Sequence, residues 1–184
     1  MNHQSKITAE EALTRLKDGN AKFLNATTPI ADVSPQIREK TAQEGQFPYA
    51  VIVTCSDSRV IPEDIFSAGI GELFVIRVAG FVVNKTQLGS IEYAVDHLGS
   101  PLVVVLGHTQ CGAIAAALED HHDVEGALKV LIQEITHAIG DEKDPIKAIK
   151  LNVQQGCKVI EGDKLNAKVV GAVYHIETGE VEFL

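Results

Sequence analysis

Tyr49-Ala50-Val51-Ile52-Val53-Thr54 runs without interruption into Cys55-Ser56-Asp57-Ser58-Arg59. A continuous β-prone run of this length, with no apolar/polar alternation, is the pattern of a strand buried on both faces of a parallel sheet. Leu73-Phe74-Val75-Ile76-Arg77-Val78 and Leu102-Val103-Val104-Val105-Leu106 read the same way. Between them, Gln87 to Leu98 carries Leu88, Ile91, Tyr93-Ala94-Val95 and Leu98 at helical spacing, and Gly99-Ser100-Pro101 ends it. Strand, crossover helix and strand predict an α/β fold with a mainly parallel central sheet flanked by helices.

Outward from this unit, residues 8 to 24 place Ala12, Leu13, Leu16 and Phe23-Leu24 on one helical face. Thr8 and Glu11 have capping-box spacing in front of them. Ser34-Pro35 marks a second helix start, with serine as cap and proline in the first turn. Residues 1–44 thus form an N-terminal helical arm and residues 45–184 the α/β core of a single domain spanning 1–184. Further helices are expected over 111–120, 126–139 and 145–155. Ala167 to Ile176 and Val181 to Leu184 read as strands around the polar turn Glu177-Thr178-Gly179-Glu180, so the last is an antiparallel edge strand.

The chain has 184 residues, enough for one substantial core, and 45% are hydrophobic. Its formal charge of -9 argues against general binding to nucleic acid or to anionic membranes, both of which favour a basic surface. A small anionic substrate is compatible with it, because a local cationic pocket can sit in an acidic exterior. No apolar stretch approaches the ~20 residues of a membrane span, and Met1-Asn2-His3-Gln4-Ser5-Lys6 does not open a signal pattern. A cytoplasmic location is expected. Three cysteines at irregular spacing suit metal binding in a reducing compartment better than a disulfide framework.

Two of those cysteines follow strands. Cys55 comes after Thr54, and His108-Thr109-Gln110-Cys111-Gly112 comes after Leu106-Gly107. In α/β sheets functional groups collect where strands end, so neighbouring parallel strands would bring Cys55 to His108 and Cys111. Two thiolates and one imidazole make three ligands for one Zn2+ and leave a fourth position open, as in catalytic zinc sites. Gly112 is expected to allow close backbone approach. Cys55, Asp57 and Arg59 alternate, so an extended segment would point all three one way, with Arg59 holding the Asp57 carboxylate beside the metal. A structural site awaiting a fourth ligand, or three buried residues without metal, remain alternatives at this level. Cys157 reads as a small buried hydrophobe.

These motifs, with Gly89-Ser90-Ile91-Glu92-Tyr93-Ala94 and Gly171-Ala172-Val173-Tyr174, resemble the β-class carbonic anhydrases over residues 45 to 184. The resemblance implies zinc on Cys55, His108 and Cys111, a catalytic Asp57–Arg59 dyad, and a homodimer or homotetramer. It implies reversible hydration of carbon dioxide to bicarbonate and a proton, by zinc hydroxide that the dyad orients. It further suggests the plant-type subclass, with Gln46, Phe74, Val78, Tyr93 and Gly112 at the substrate pocket. Release of Asp57 from Arg59 would let the carboxylate take the fourth zinc position, an off state.

Where the family often has asparagine after Arg77-Val78-Ala79-Gly80, this chain has Phe81, read as a packing substitution in preference to an altered channel. Hydrolysis of carbon disulfide or carbonyl sulfide and a non-catalytic zinc scaffold are the other functions weighed. His3, His97, His121, His122, His137 and His175 are expected to be structural or solvent-facing. Gly69-Ile70-Gly71 precedes a strand instead of following one, which excludes a dinucleotide turn.

Overall fold

The computed structural model describes residues 7–119 and 124–184. Five strands form one sheet in the order β2-β1-β3-β4-β5: β1 Ala50–Thr54, β2 Leu73–Arg77, β3 Leu102–His108, β4 Lys168–Tyr174 and β5 Val181–Phe183. The first four are mutually parallel and β5 pairs antiparallel with β4, as the alternation of elements predicts. The helices are α1 Ala9–Asn25, α2 Pro35–Glu44, α3 Pro62–Ile65, α4 Lys85–Glu92, α5 Gly112–Leu118, α6 Gly126–Ile139 and α7 Pro145–Gly162.

The apolar runs of β1 and β3 are buried on both faces because helices cover both, whereas β2, expected to be buried alike, lies at the sheet edge and is only partly buried after Leu73. Val51 and Val53 of β1 and Val103 and Val105 of β3 pack with Ile114 of α5, Ile132 and Ile135 of α6, and Ile149 and Val153 of α7. The alternate residues Ala50, Ile52, Leu102, Val104 and Leu106 pack with Ala12 and Leu16 of α1 and with Ile65 of α3. This two-residue period is the pleat of the strand expressed as two half-cores.

Local signals account for most helix ends. Thr8 accepts from the Glu11 N–H at 3.2 Å while Glu11 Oε2 takes the Thr8 N–H at 2.7 Å, completing the capping box. Ser34 caps α2, which has no buried residue and stands off the core. α1 is bound tightly instead: buried Asn20 donates to the carbonyls of Ile65 (3.2 Å) and Gly179 (2.9 Å), and accepts from the Val181 N–H (3.0 Å). Three boundaries differ from expectation. The helix through 87–98 stops as α-helix at Glu92 and closes in a π-helical turn over Tyr93–His97. α7 continues past 155 to Gly162, and the four-residue α3 has no periodic signal of its own.

Gly107 shows how tightly the sheet meets α7 beside the site. A Cβ there would lie 2.7 Å from Val153 Cγ2, 3.1 Å from Ile149 Cγ2 and 3.2 Å from Phe81 Cζ. Gly107→Ala is therefore expected to lower stability by about 1–3 kcal/mol through overpacking, read as a lower urea midpoint with an unchanged slope.

Candidate metal centre

The register of the sheet assembles the site. Thr54 pairs with Leu106, so Cys55 leaves β1 one residue further on, level with the end of β3 at Gly107-His108. His108 is the last residue of β3 and Cys111 caps α5, so the turn at Thr109-Gln110 carries the chain from one ligand to the next. The side-chain ligand atoms of Cys55, His108 and Cys111 all lie within 4.8 Å of one another. They are 5%, 0% and 3% exposed, respectively.

Each donor is prepared by its neighbours. His108 Nδ1 lies 2.8 Å from the Thr109 carbonyl, which orients the ring with Nδ1–H donating and the Nε2 lone pair free. That Nε2 is a buried side-chain nitrogen with no hydrogen-bond partner, and an orphan of this kind beside two sulfurs fits a metal ion. The backbone N–H groups of Asp57 and Gly80 near the Cys55 sulfur favour its thiolate, and those of Ala113 and Ile114 favour that of Cys111. The hydrogen bond from Cys111, above all, holds the Cys55 thiol well below the usual range; the same contact and burial push Cys111 up. The pair thus keeps one negative charge readily and a second only beside a cation.

Asp57 and Arg59 do pair, but not along an extended segment. Residues 57–60 form a tight turn, with the Val60 N–H donating to the Asp57 carbonyl at 3.0 Å and the Arg59 N–H to Asp57 Oδ1 at 2.9 Å. A side chain that bonds its own backbone two residues on is the local preference of aspartate, and it overrides the strand-like spacing. The turn folds Arg59 back over Asp57: Nε donates to Oδ1 at 2.9 Å and Nη2 to Oδ2 at 2.7 Å, a bidentate fork. Arg59, first among the causes, keeps the Asp57 carboxyl far below the ordinary carboxylate range.

Two supports for this loop carry no signal in the sequence around the motifs. Arg77, at the end of β2, donates to the carbonyls of Cys55 (3.2 Å) and Asp57 (2.7 Å). Gly80 has φ 67°, where glycine is favoured; its carbonyl accepts from buried Asn152 of α7 at 2.8 Å. The following Phe81 shares the left-handed region at φ 45°, is fully buried, and turns its ring edge to His108 with centroids 6.4 Å apart. Phe81 is a packing residue behind the imidazole, not a wall of an entrance.

The remaining expected pocket residues divide into two groups. Val78 donates its N–H to the Thr54 carbonyl at 3.0 Å, and Gly112 opens α5 next to Cys111, so both adjoin the ligands. A Cβ at Gly112 would meet nothing within 4 Å, so packing within this chain does not by itself require glycine there. Phe74 sits opposite Val51, three residues before Arg77 and so about 10 Å along the strand from it. Its ring meets that of Tyr93 at 6.2 Å, and Tyr93 shares with exposed Gln46 a groove also lined by Thr41, Phe47 and Leu98. None of the three ligands lines that groove.

Of the other histidines, His97 stacks on Tyr93 at 5.4 Å, His137 is exposed on α6, and His175 lies 3.5 Å from Glu182. His3, His121 and His122 lie outside the described residues. Cys157 packs against the core, and burial pushes its thiol up to about 11. Among the described residues, no other group of three or more potential ligands comes together.

Comparison with known proteins gives one family. The carbonic anhydrase family model matches residues 50–181, from the first residue of β1 to the first of β5. A carbonic anhydrase of Mycolicibacterium smegmatis is 35% identical, over 91% of this chain and 89% of its own length. Carbonic anhydrase 2 of Mycobacterium tuberculosis is 49% identical over 59% of this chain and 52% of its length. A tetrameric β-carbonic anhydrase of Sordaria macrospora superposes with a TM-score of 0.69 at 31% identity, covering 82% of this chain and 87% of that one. The β-carbonic anhydrase CafA of Aspergillus fumigatus superposes with 0.73 at 26% identity, covering 95% and 89%. With the same sheet, and with Cys55, His108 and Cys111 converging at its strand ends, this chain belongs to the β-class carbonic anhydrase family.

Proposed function

We propose that this chain catalyses the reversible hydration of carbon dioxide to bicarbonate and a proton, with one zinc ion held by Cys55, His108 and Cys111. The observation that carries this reading is the buried, unpartnered Nε2 of His108 facing two cysteines. Zinc bound there supplies Lewis acidity that brings the pKa of a water ligand toward neutral. Two thiolates cancel the charge of the ion, so acidification is weaker than three neutral imidazoles would give, and the protein must supply orientation.

Asp57 supplies it. Fully ionised and forked to Arg59, it is a fixed acceptor that can take a hydrogen bond from the attacking water and aim an oxygen lone pair at carbon dioxide. Val78 gives the centre an apolar flank suited to an uncharged linear substrate. The plant-type reading would have Gln46, Phe74 and Tyr93 complete the pocket, with Gln46 donating to a developing bicarbonate oxygen; within one chain they lie on the β2 side, away from the three ligands. Exposed Phe47 and Tyr93 beside the outer edge of β2 support a homodimer or homotetramer that covers this side. The tetrameric relative from Sordaria macrospora has the same fold. No helix among the described residues is long and apolar enough to cross a membrane, and we place the enzyme in the cytoplasm.

No feature of the site favours carbon disulfide or carbonyl sulfide, since Phe81 is wholly buried and reshapes no entrance. A zinc scaffold would need Asp57 on the metal, whereas both its oxygens are engaged by Arg59. Stopped-flow hydration of carbon dioxide on metal-quantified protein tests the proposal. One zinc per chain and turnover that rises from neutral to alkaline pH are expected; zinc-replete protein without activity across that range would refute it.

A further inference from the structure

The turn between His108 and Cys111 is held from the far side by a residue almost seventy positions away. Gln110 has φ 55°, a conformation a non-glycine residue keeps only when its surroundings impose it. Glu177, in the turn between β4 and β5, is that surrounding. Gln110 Nε2 donates to Glu177 Oε1 at 2.5 Å and Thr109 Oγ1 donates to Oε2 at 2.9 Å. Thr109 is pinned further by its N–H to the Tyr174 carbonyl (2.9 Å) and by the Ile176 N–H to its Oγ1 (3.0 Å). On the opposite side of the turn, the Gln110 carbonyl accepts from Arg59 Nη2 at 3.2 Å, and the same nitrogen donates to Asp57 Oδ2 at 2.7 Å.

We propose that Glu177 is a positioning residue for hydration: it holds Gln110 in its left-handed conformation, so that the Gln110 carbonyl braces Arg59 and, through it, Asp57. This rests on the proposed function, because the Asp57–Arg59 pair is what Glu177 serves. The Asp57 turn fixes one end of the fork locally, but Arg59 is half-exposed and needs a second anchor to stay in one rotamer. Gln110 is that anchor, and its own conformation is maintained from Glu177. Glu177 is exposed, so replacing it leaves no buried cavity and the effect is one of orientation.

The test uses zinc-quantified protein and two readouts: carbon dioxide hydration, and solvent exchange of the Arg59 Nε–H in NMR, assigned by its loss in Arg59→Ala. Glu177→Ala should keep zinc and thermal midpoint, lower kcat/KM by about tenfold, and speed that exchange by a similar factor, as a small misplacement of an orienting group does. Glu177→Gln, which keeps an acceptor for Gln110, should recover most of both. Added to Arg59→Ala, Glu177→Ala should cost nothing more, because the two act in series. Unchanged exchange and turnover, or a loss that adds in full to Arg59→Ala, overturns the proposal. If the wild-type enzyme does not hydrate carbon dioxide, the proposed function fails instead, while the Arg59 signal still reports whether Glu177 holds the turn.

Discussion

Replacing His108 by alanine is expected to yield a folded chain that purifies without zinc and hydrates carbon dioxide no faster than the buffer does. The imidazole is the sole nitrogen donor of the centre, and its tautomer is set by the Thr109 carbonyl so that Nε2 is free to bind. Without it, two sulfurs face an ion that needs three protein donors, and no other potential ligand among the described residues lies in the cluster. Loss of an outer partner of a metal ligand already costs about 10–100-fold in affinity, and loss of the ligand itself should exceed that. The buried ring also leaves a hole beside Phe81 and Gly107, so a lower melting temperature should accompany the metal loss. Elemental analysis for zinc, stopped-flow assay and circular dichroism check the three parts separately. Stoichiometric zinc with wild-type turnover would remove His108 from the ligand set.

Arg59→Ala should behave in the opposite way, keeping zinc and losing hydration. The guanidinium touches none of the ligand side chains; its bonds go to Asp57 and to the Gln110 carbonyl. Removing it leaves Asp57 with only the Arg59 backbone N–H of its own turn, so the carboxylate gains the freedom to leave its orienting position and occupy the fourth site on the metal. An orienting acceptor that becomes a competing ligand should cost about 100–1000-fold in kcat/KM, the scale seen when a preorganised polar group is lost. Its carboxyl also rises toward the ordinary range once its largest stabilising partner is gone. Near neutral pH it nevertheless stays ionised, so the loss reflects position and not protonation. Arg59→Lys should recover only part of the rate, since an ammonium replaces the charge without the two-nitrogen fork. Unchanged turnover in the zinc-replete alanine variant would take the pair out of the mechanism.

Much of the architecture was legible because its determinants are local. The apolar runs at 49–54 and 102–106 carry no charged residue, which leaves burial between two helical layers, while the run at 73–78 carries the exposed Arg77 at the sheet edge. Caps at Thr8 and Ser34 start helices through hydrogen bonds from N–H groups three positions on. The antiparallel pairing of β4 and β5 follows from a short turn with Gly179 at φ 82°. The ligand trio was legible for a related reason: each member ends a strand or starts the helix after it, so finding neighbouring strands nearly located the site.

Other features depend on pairs remote in sequence. The alternation of Cys55, Asp57 and Arg59 suggested an extended segment, and the side-chain bond of Asp57 to the Arg59 N–H made it a turn instead. The resemblance groups Gln46, Phe74 and Tyr93 with the zinc ligands, yet within one chain Gln46 and Tyr93 line a groove on the β2 side that none of the ligands enters, and Phe74 packs on Tyr93 at the level of Val51.

The amino-acid sequence by itself determined the parallel sheet, the helical layers and the Cys55, His108 and Cys111 set, since strand burial and strand-end placement are written in runs of adjacent residues. Only the tertiary structure decided how that set is held: Arg77 on the 55–57 loop, Asn152 on Gly80, Phe81 behind His108, and Glu177 on Thr109 and Gln110. The physical reason is that these are single hydrogen bonds or ring contacts, most between elements twenty to seventy residues apart. They depend on where folding brings each backbone carbonyl, N–H and ring edge, and no local pattern of residue types encodes that.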